Sequence, residues 1–166
     1  ISASLVGSEM CIRDRVLAAY FRIIEKAILK IGIDPEKCRG EKAGRWSLQK
    51  GSINIMIDVW MLEKEQKAYF QAVAPIMEIP KGSNSALTEE LLEINHALFG
   101  AAFSIFQGVI FLKTTREIEG LDVSEAYQTI LRIGNYADYY DDILKAKYPH
   151  HTPVGFQTNR NNEKKG

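Results

Sequence analysis

The sequence predicts an α+β fold: a two-layer sandwich in which helices cover one face of an antiparallel sheet of about five strands. Three observations predict it. Apolar residues recur at three- and four-residue steps in three well-separated stretches, the signature of amphipathic helices. Between them lie stretches in which apolar residues alternate with other types, as in half-buried strands. The alternating stretches are joined by short turns at Lys50-Gly51, Glu63 to Lys67 and Gln107-Gly108, which only antiparallel neighbours permit. The expected order is helix, three strands, helix, two strands, helix.

The first residues fit no element. LVGSEMCIRDR, Leu5 to Arg15, has neither period. Back-translated as CTC GTG GGC TCG GAG ATG TGT ATA AGA GAC, followed by AG, it resembles the adapter and transposon end used to prepare sequencing libraries. Residues 1–15 are therefore set aside from fold reasoning as non-native, and the natural start is expected to be missing. The folded unit is expected over 16–148, followed by a polar, disordered tail over 149–166.

The first helix is expected over Val16 to Ile31, with Leu17, Tyr20, Phe21, Ile24, Ala27, Ile28 and Ile31 as its stripe and Gly32 as its stop. IDPEKCRGEKAG is a polar connection. GRWSLQ is a short strand. SINIMIDVWML is a longer one, with Ile53, Ile55, Ile57, Val59 and Met61 on a core face and Asn54, Met56, Asp58, Trp60 and Leu62 on the other. AYFQAVAPIMEIP is the third strand. Its Pro75 cannot donate to a ladder, which predicts an edge position or a bulge. Thr88 is the expected N-cap of the second helix, TEELLEINHALF, with Glu89 and Glu90 in its first turn. AAFSIFQ and VIFLKTTREI are the last two strands. Asp122, with Glu125 three residues on, caps a final helix ending near Tyr148, before Pro149.

Composition narrows the function. The formal net charge is zero, so there is no basic field to attract nucleic acid or an anionic membrane. No apolar run approaches the length of a membrane span. Of the two cysteines, Cys11 lies in the segment set aside, leaving Cys38 with no intramolecular partner; a reducing cytoplasm is the simplest compartment.

The candidate chemical sites are thin. His96 has Glu93 as its acidic neighbour on the helix, too little for a zinc site, and reads as a partly exposed helical histidine. Asp58 is a general base only if buried beside His96; otherwise it is a solvent-facing residue in a half-polar row. Asp138, Asp141 and Asp142 do not share one face and read as solvated surface. Cys38, between Lys37 and Arg39, has basic neighbours that could lower its pKa, but no nearby histidine. His150-His151 lies in the tail. No phosphate loop, dinucleotide fingerprint or nucleophile elbow is present. No catalytic, metal or cofactor site is assigned.

Surplus apolar residues say more. Met56, Trp60 and Leu62 occupy the second face of their strand, with Trp46 and Tyr69 expected near them. Such side chains bury much area at low entropic cost and suit protein contact, unless a terminal helix of the same chain covers them.

The ordered succession of YFRIIEKAILKIGI, AVAPIMEIP, LLEINHALFGAAFSI and VIFLKTTREIEGLDVSEAYQTILRIGNYADYYDDILKAKY resembles the YbjN family, whose fold is like that of type III secretion chaperones. The resemblance covers Val16 to Tyr148. It implies a small cytosolic α+β domain, often dimeric, that acts through protein contacts as a chaperone or regulatory adaptor, with no family active site to carry over. The expectation is a non-catalytic, homodimeric protein-binding domain with no cofactor, no nucleic-acid partner and no membrane partner. The rival is a small-ligand protein or enzyme with a pocket near Asp58 and His96.

Overall fold

In the computed structural model, residues 3–82 and 85–149 are described, with side chains from residue 14 onward. Among them three α-helices and one five-stranded sheet form the expected order. Helix α1 spans Ala3–Ile31, β1 Arg45–Lys50, β2 Ile53–Leu62, β3 Lys67–Glu78, α2 Ser85–Ala97, β4 Ala102–Phe106, β5 Val109–Glu117 and α3 Val123–Lys147. The α1 backbone thus runs through residues 3–15, which the sequence reading set aside. The tail over 150–166, with His150-His151, lies outside the described residues.

The strands lie in the order β1-β2-β3-β5-β4, every pair antiparallel. All three helices pack on one side. Helix α3 crosses β2, β3 and β5; α1 lies beside α3 and over β2; α2 rests on β4. Ile24 and Ile28 of α1, Leu87 and Leu91 of α2, and Ile130, Ile133 and Leu144 of α3 join the inward strand residues Ile55, Ile57, Phe70, Ile110 and Leu112 in one core. Lys30 lies 4.4 Å from the ring centre of Tyr127, tying α1 to α3.

The helix ends follow local chemistry. Gly32 takes φ +95 and its N–H donates to the Leu29 carbonyl at 2.9 Å, closing α1 as expected. Asp122 accepts from the Glu125 N–H at 2.8 Å, and Tyr148 caps the far end of α3. Helix α2 departs from expectation. It begins at Ser85, so Thr88 sits inside the helix and is not its N-cap; the earlier start brings Leu87 into the core.

Pro75 marks a bulge, and the strand that carries it is central, not at an edge. Pro75 faces Phe111 and Met77 faces Ile110, so Ile76 is an extra residue on β3. The extra residue swaps faces. Phe70, Ala72 and Ala74 point into the core before it, while Met77 does so after it and Glu78 points away. Strict alternation puts Met77 with Tyr69 and Val73; the bulge corrects that assignment. Gln107 and Gly108 both adopt positive φ, as a tight two-residue hairpin between β4 and β5 requires.

Candidate protein-docking face

The sheet face opposite the helices carries the surplus. Its rows follow from the register. Trp60 pairs with Tyr69, Met56 with Val73, Pro75 with Phe111, and Phe106 with Val109. These residues make an apolar band running obliquely from the end of β2 to the β4–β5 hairpin, crossed between Trp60–Tyr69 and Met56–Val73 by the polar pair Asp58–Gln71. Trp60 and Tyr69 stack with ring centres 5.7 Å apart and planes at 23°. Val73, paired with Met56, is buried although none of the described helices covers it. Phe106, at the opposite end of the band, is 65% exposed.

Paired polar groups cross and border the band. Arg45 meets Asp58 at 2.8 Å, Ser47 donates to Asn54 at 2.8 Å, and Thr115 donates to Gln71 at 3.0 Å. Lys67 meets Glu117 at 2.7 Å; that hydrogen bond raises the Lys67 pKa. Tyr69 donates to Glu65 at 2.7 Å, and that bond holds the phenol above its ordinary pKa. The band can bury apolar side chains, and its borders can accept a polar main chain; its ion pairs are already made.

Four of the five residues expected on a protein-binding surface lie here. Met56, Trp60 and Tyr69 are half-buried neighbours, and Leu62 ends the strand as an exposed residue opposite Lys67. Trp46 does not. It pairs with Ile57 on the inward face, is 3% exposed, and sets its ring edgewise against Phe21 at 5.7 Å. Its strand alternates Arg45, Ser47 and Gln49 outward, which leaves Trp46 and Leu48 inward. Phe111, Val109 and Phe106 were missed as outward apolar residues. The alternation in VIFLKTTREI carries the signal for the first two.

Asp58 and His96 do not converge. Asp58 projects from β2 on the open face and pairs with Arg45, whereas His96 is exposed on α2, over β4. Strands β2 and β4 are three spacings apart, about 14 Å. The pocket reading therefore loses its geometry. Cys38 is also no activated nucleophile. Burial, then the charge of Asp34, pushes its pKa up, while Arg39 is held by Glu25 and Glu36. Asp141 is not solvated surface: it is 4% exposed and paired with Lys145 at 2.6 Å.

The architecture defines a class: an α+β protein whose antiparallel sheet is covered, among the described residues, by helices on one face only. Solved structures share it. A chain of the HopA1–SchA chaperone–effector complex matches with TM-score 0.58 at 8% identity, over 77% of this chain and 97% of that one. A chain of the complex between the Yersinia pestis type III secretion chaperone SycH and a stable fragment of YscM2 matches with TM-score 0.52 at 12% identity, over 72% and 98%. YbjN from E. coli matches with TM-score 0.48 at 13% identity, over 76% and 91%. No family model and no curated protein matches the sequence. At these identities the likeness to the first two is one of fold alone.

Proposed function

We propose that residues 16–148 form a non-catalytic, chaperone-like or regulatory protein-binding domain that holds an apolar segment of a partner protein across the open face of its sheet. One observation carries the proposal: a sheet face that none of the described helices covers, bearing the Trp60–Tyr69 stack and, beyond the Asp58–Gln71 pair, apolar residues from Met56 to Phe106. An apolar surface of this extent on a protein is characteristically an interaction site. The shared fold with chains from chaperone complexes supports the same reading. Within it, residues 5–15 are a translated adapter outside the functional unit, and the single thiol of that unit, Cys38, fits a reducing cytoplasm.

A second apolar surface favours self-association. Leu92, Ile105, Tyr139 and Ile143 are exposed on α2, β4 and the second half of α3, and Phe99 is exposed in the turn between α2 and β4. The Phe103–Tyr140 ring contact and the Lys147–Glu90 ion pair draw these elements together. A homodimer formed here by two-fold self-contact leaves the Trp60 end of the sheet free for the partner.

The test is affinity capture from the source cell with wild type and Trp60→Asp, with light scattering and circular dichroism on both. The variant is expected to fold, to keep the wild-type mass and to lose the captured partner. A Trp60→Asp protein that fails to fold puts Trp60 in the monomer's own core and overturns the proposal.

A further inference from the structure

Strand β4 is one end of the sheet, and its sequence, AFSIF, has no charge and no proline. A short apolar edge of that kind invites pairing with another strand. The opposite edge is protected twice. Strand β1 begins and ends on charges, Arg45 and Lys50, and the turn before it covers its rim: Gly40 donates to the Arg45 carbonyl at 2.8 Å, and Ser47 donates to the Cys38 carbonyl at 2.7 Å. On β4 one side chain occupies that place. Asn95 of α2 accepts the Phe103 N–H on Oδ1 at 2.6 Å and donates from Nδ2 to the Phe103 carbonyl at 3.2 Å. A carboxamide carries an acceptor and a donor at peptide-like spacing, so Asn95 supplies both bonds that a residue of a neighbouring strand exchanges with its partner.

We infer that Asn95 is a latch that shuts the β4 edge against strand addition by a second copy of this chain. The two bonds show which groups face outward. Phe103 offers its backbone to Asn95, so its pairing with Leu112 of β5 is a non-hydrogen-bonded one, and Ile105, two residues on, presents its backbone in the same direction. Releasing Asn95 opens Phe103 and Ile105 as a contiguous edge flanked by the exposed Phe106. Two such edges related by a two-fold axis are self-complementary. With the latch closed, contacts with other chains use side chains on the faces, not main chain at this rim. The inference stands independently of what the open face binds.

The test uses Asn95→Ala and Asn95→Ser, whose side chain is too short to reach Phe103, together with Asn95→Ala/Ile105→Pro, all in the full chain. Proline at Ile105 removes an outward donor while sparing the ladder to β5. Amide exchange at Phe103 is expected to quicken about tenfold in dilute single variants. Their mass by light scattering is expected to rise above wild type with concentration, and the proline variant is expected to return it to the wild-type value. If either single variant folds yet keeps the wild-type mass at every concentration, the inference is overturned. It is equally overturned if proline fails to reverse the assembly, or if wild-type β4 edges already pair in solution. Measuring both single variants keeps the test standing when one of them does not fold.

Discussion

Trp60 lies nearly flat against Tyr69 on the face that none of the described helices covers, with 5.7 Å between the ring centres. The chain has two tryptophans, and the other, Trp46, is 3% exposed. Acrylamide quenching of intrinsic fluorescence should therefore divide into an accessible component from Trp60 and a shielded one from Trp46. Trp60→Phe is expected to remove the accessible component alone, at a stability cost of about 1 kcal/mol, since an aromatic pair of this kind contributes about 0.5–1.5 kcal/mol beyond area burial. Quenching that persists unchanged in Trp60→Phe places the open tryptophan elsewhere.

The bulge at Ile76 is one extra residue on β3 between Pro75 and Met77. Deleting Ile76 brings Met77 directly after Pro75, so Met77 stays inward opposite Ile110 and Glu78 stays outward; only the bulge and the Ile76 side chain are lost. The expected cost is about 2–5 kcal/mol, that of losing the buried Ile76 side chain with the faces of β3 unchanged. Ile76→Ala keeps the residue count and so the bulge; it should cost about 2–4 kcal/mol while retaining a native near-ultraviolet spectrum. Urea titration of the two variants separates the bulge from the packing of the Ile76 side chain. A deletion variant with wild-type stability would show that β3 does not depend on the bulge.

Much of this architecture was legible because the chain's local signals agree with one another. The β2 alternation needed no context, since Ile53, Ile55, Ile57 and Val59 are all inward and all β-branched. Asp122 with Glu125 announced α3 for a local reason, the cap itself. Where tertiary packing decides, the sequence was less informative. Leu87 pulls α2 forward past a good capping residue. A proline shows that a ladder bond is missing without showing that the strand is bulged and central. Of the candidate site, Met56, Trp60, Leu62 and Tyr69 could be read from one strand's surplus and its neighbour. Trp46 could not, because a six-residue strand with polar partners on one side gives no face until its register with Ile57 is known. Asn95 was invisible, since its role exists only opposite Phe103.

Gly44 is the chain's least replaceable glycine. It takes φ +82, and a methyl built on it stands 2.5 Å from the Val59 carbonyl oxygen and 2.9 Å from the Phe21 ring. The first of these is main chain and cannot swing away. Gly44 also accepts the Val59 N–H at 2.7 Å, fixing the entry to β1. Gly44→Ala should cost about 3 kcal/mol or more. Gly32→Ala is the natural control: φ is +95 there, but nothing lies within 4 Å, so only backbone strain of about 1–2 kcal/mol is expected. Equal melting temperatures for the two variants would mean that the Gly44 contact is relieved by movement of β2.

Glu90 ties α2 to the end of α3, accepting from Lys147 at 2.8 Å and from Tyr148 at 2.7 Å. The Lys147 hydrogen bond, opposed by burial and reinforced by Tyr148, holds its carboxyl below the ordinary value of 4.5. A carboxylate whose pKa is lower in the folded state stabilises the fold above the unfolded value, and that contribution disappears as pH falls through the folded one. Between those values the unfolded chain binds a proton that the native chain does not, so stability must fall with acidification. The Lys147 side chain is 58% exposed, so screening limits the pair to about 0.5–1 kcal/mol. Glu90→Gln should lose about that amount at neutral pH and show a shallower decline in stability below pH 4.5 than wild type. Because the bond joins two elements, amide exchange in the first half of α2 should quicken in the variant while β2 and β3 remain as protected as before. Acid profiles that superimpose for the two proteins would show that Glu90 is equally free in the folded and unfolded chains.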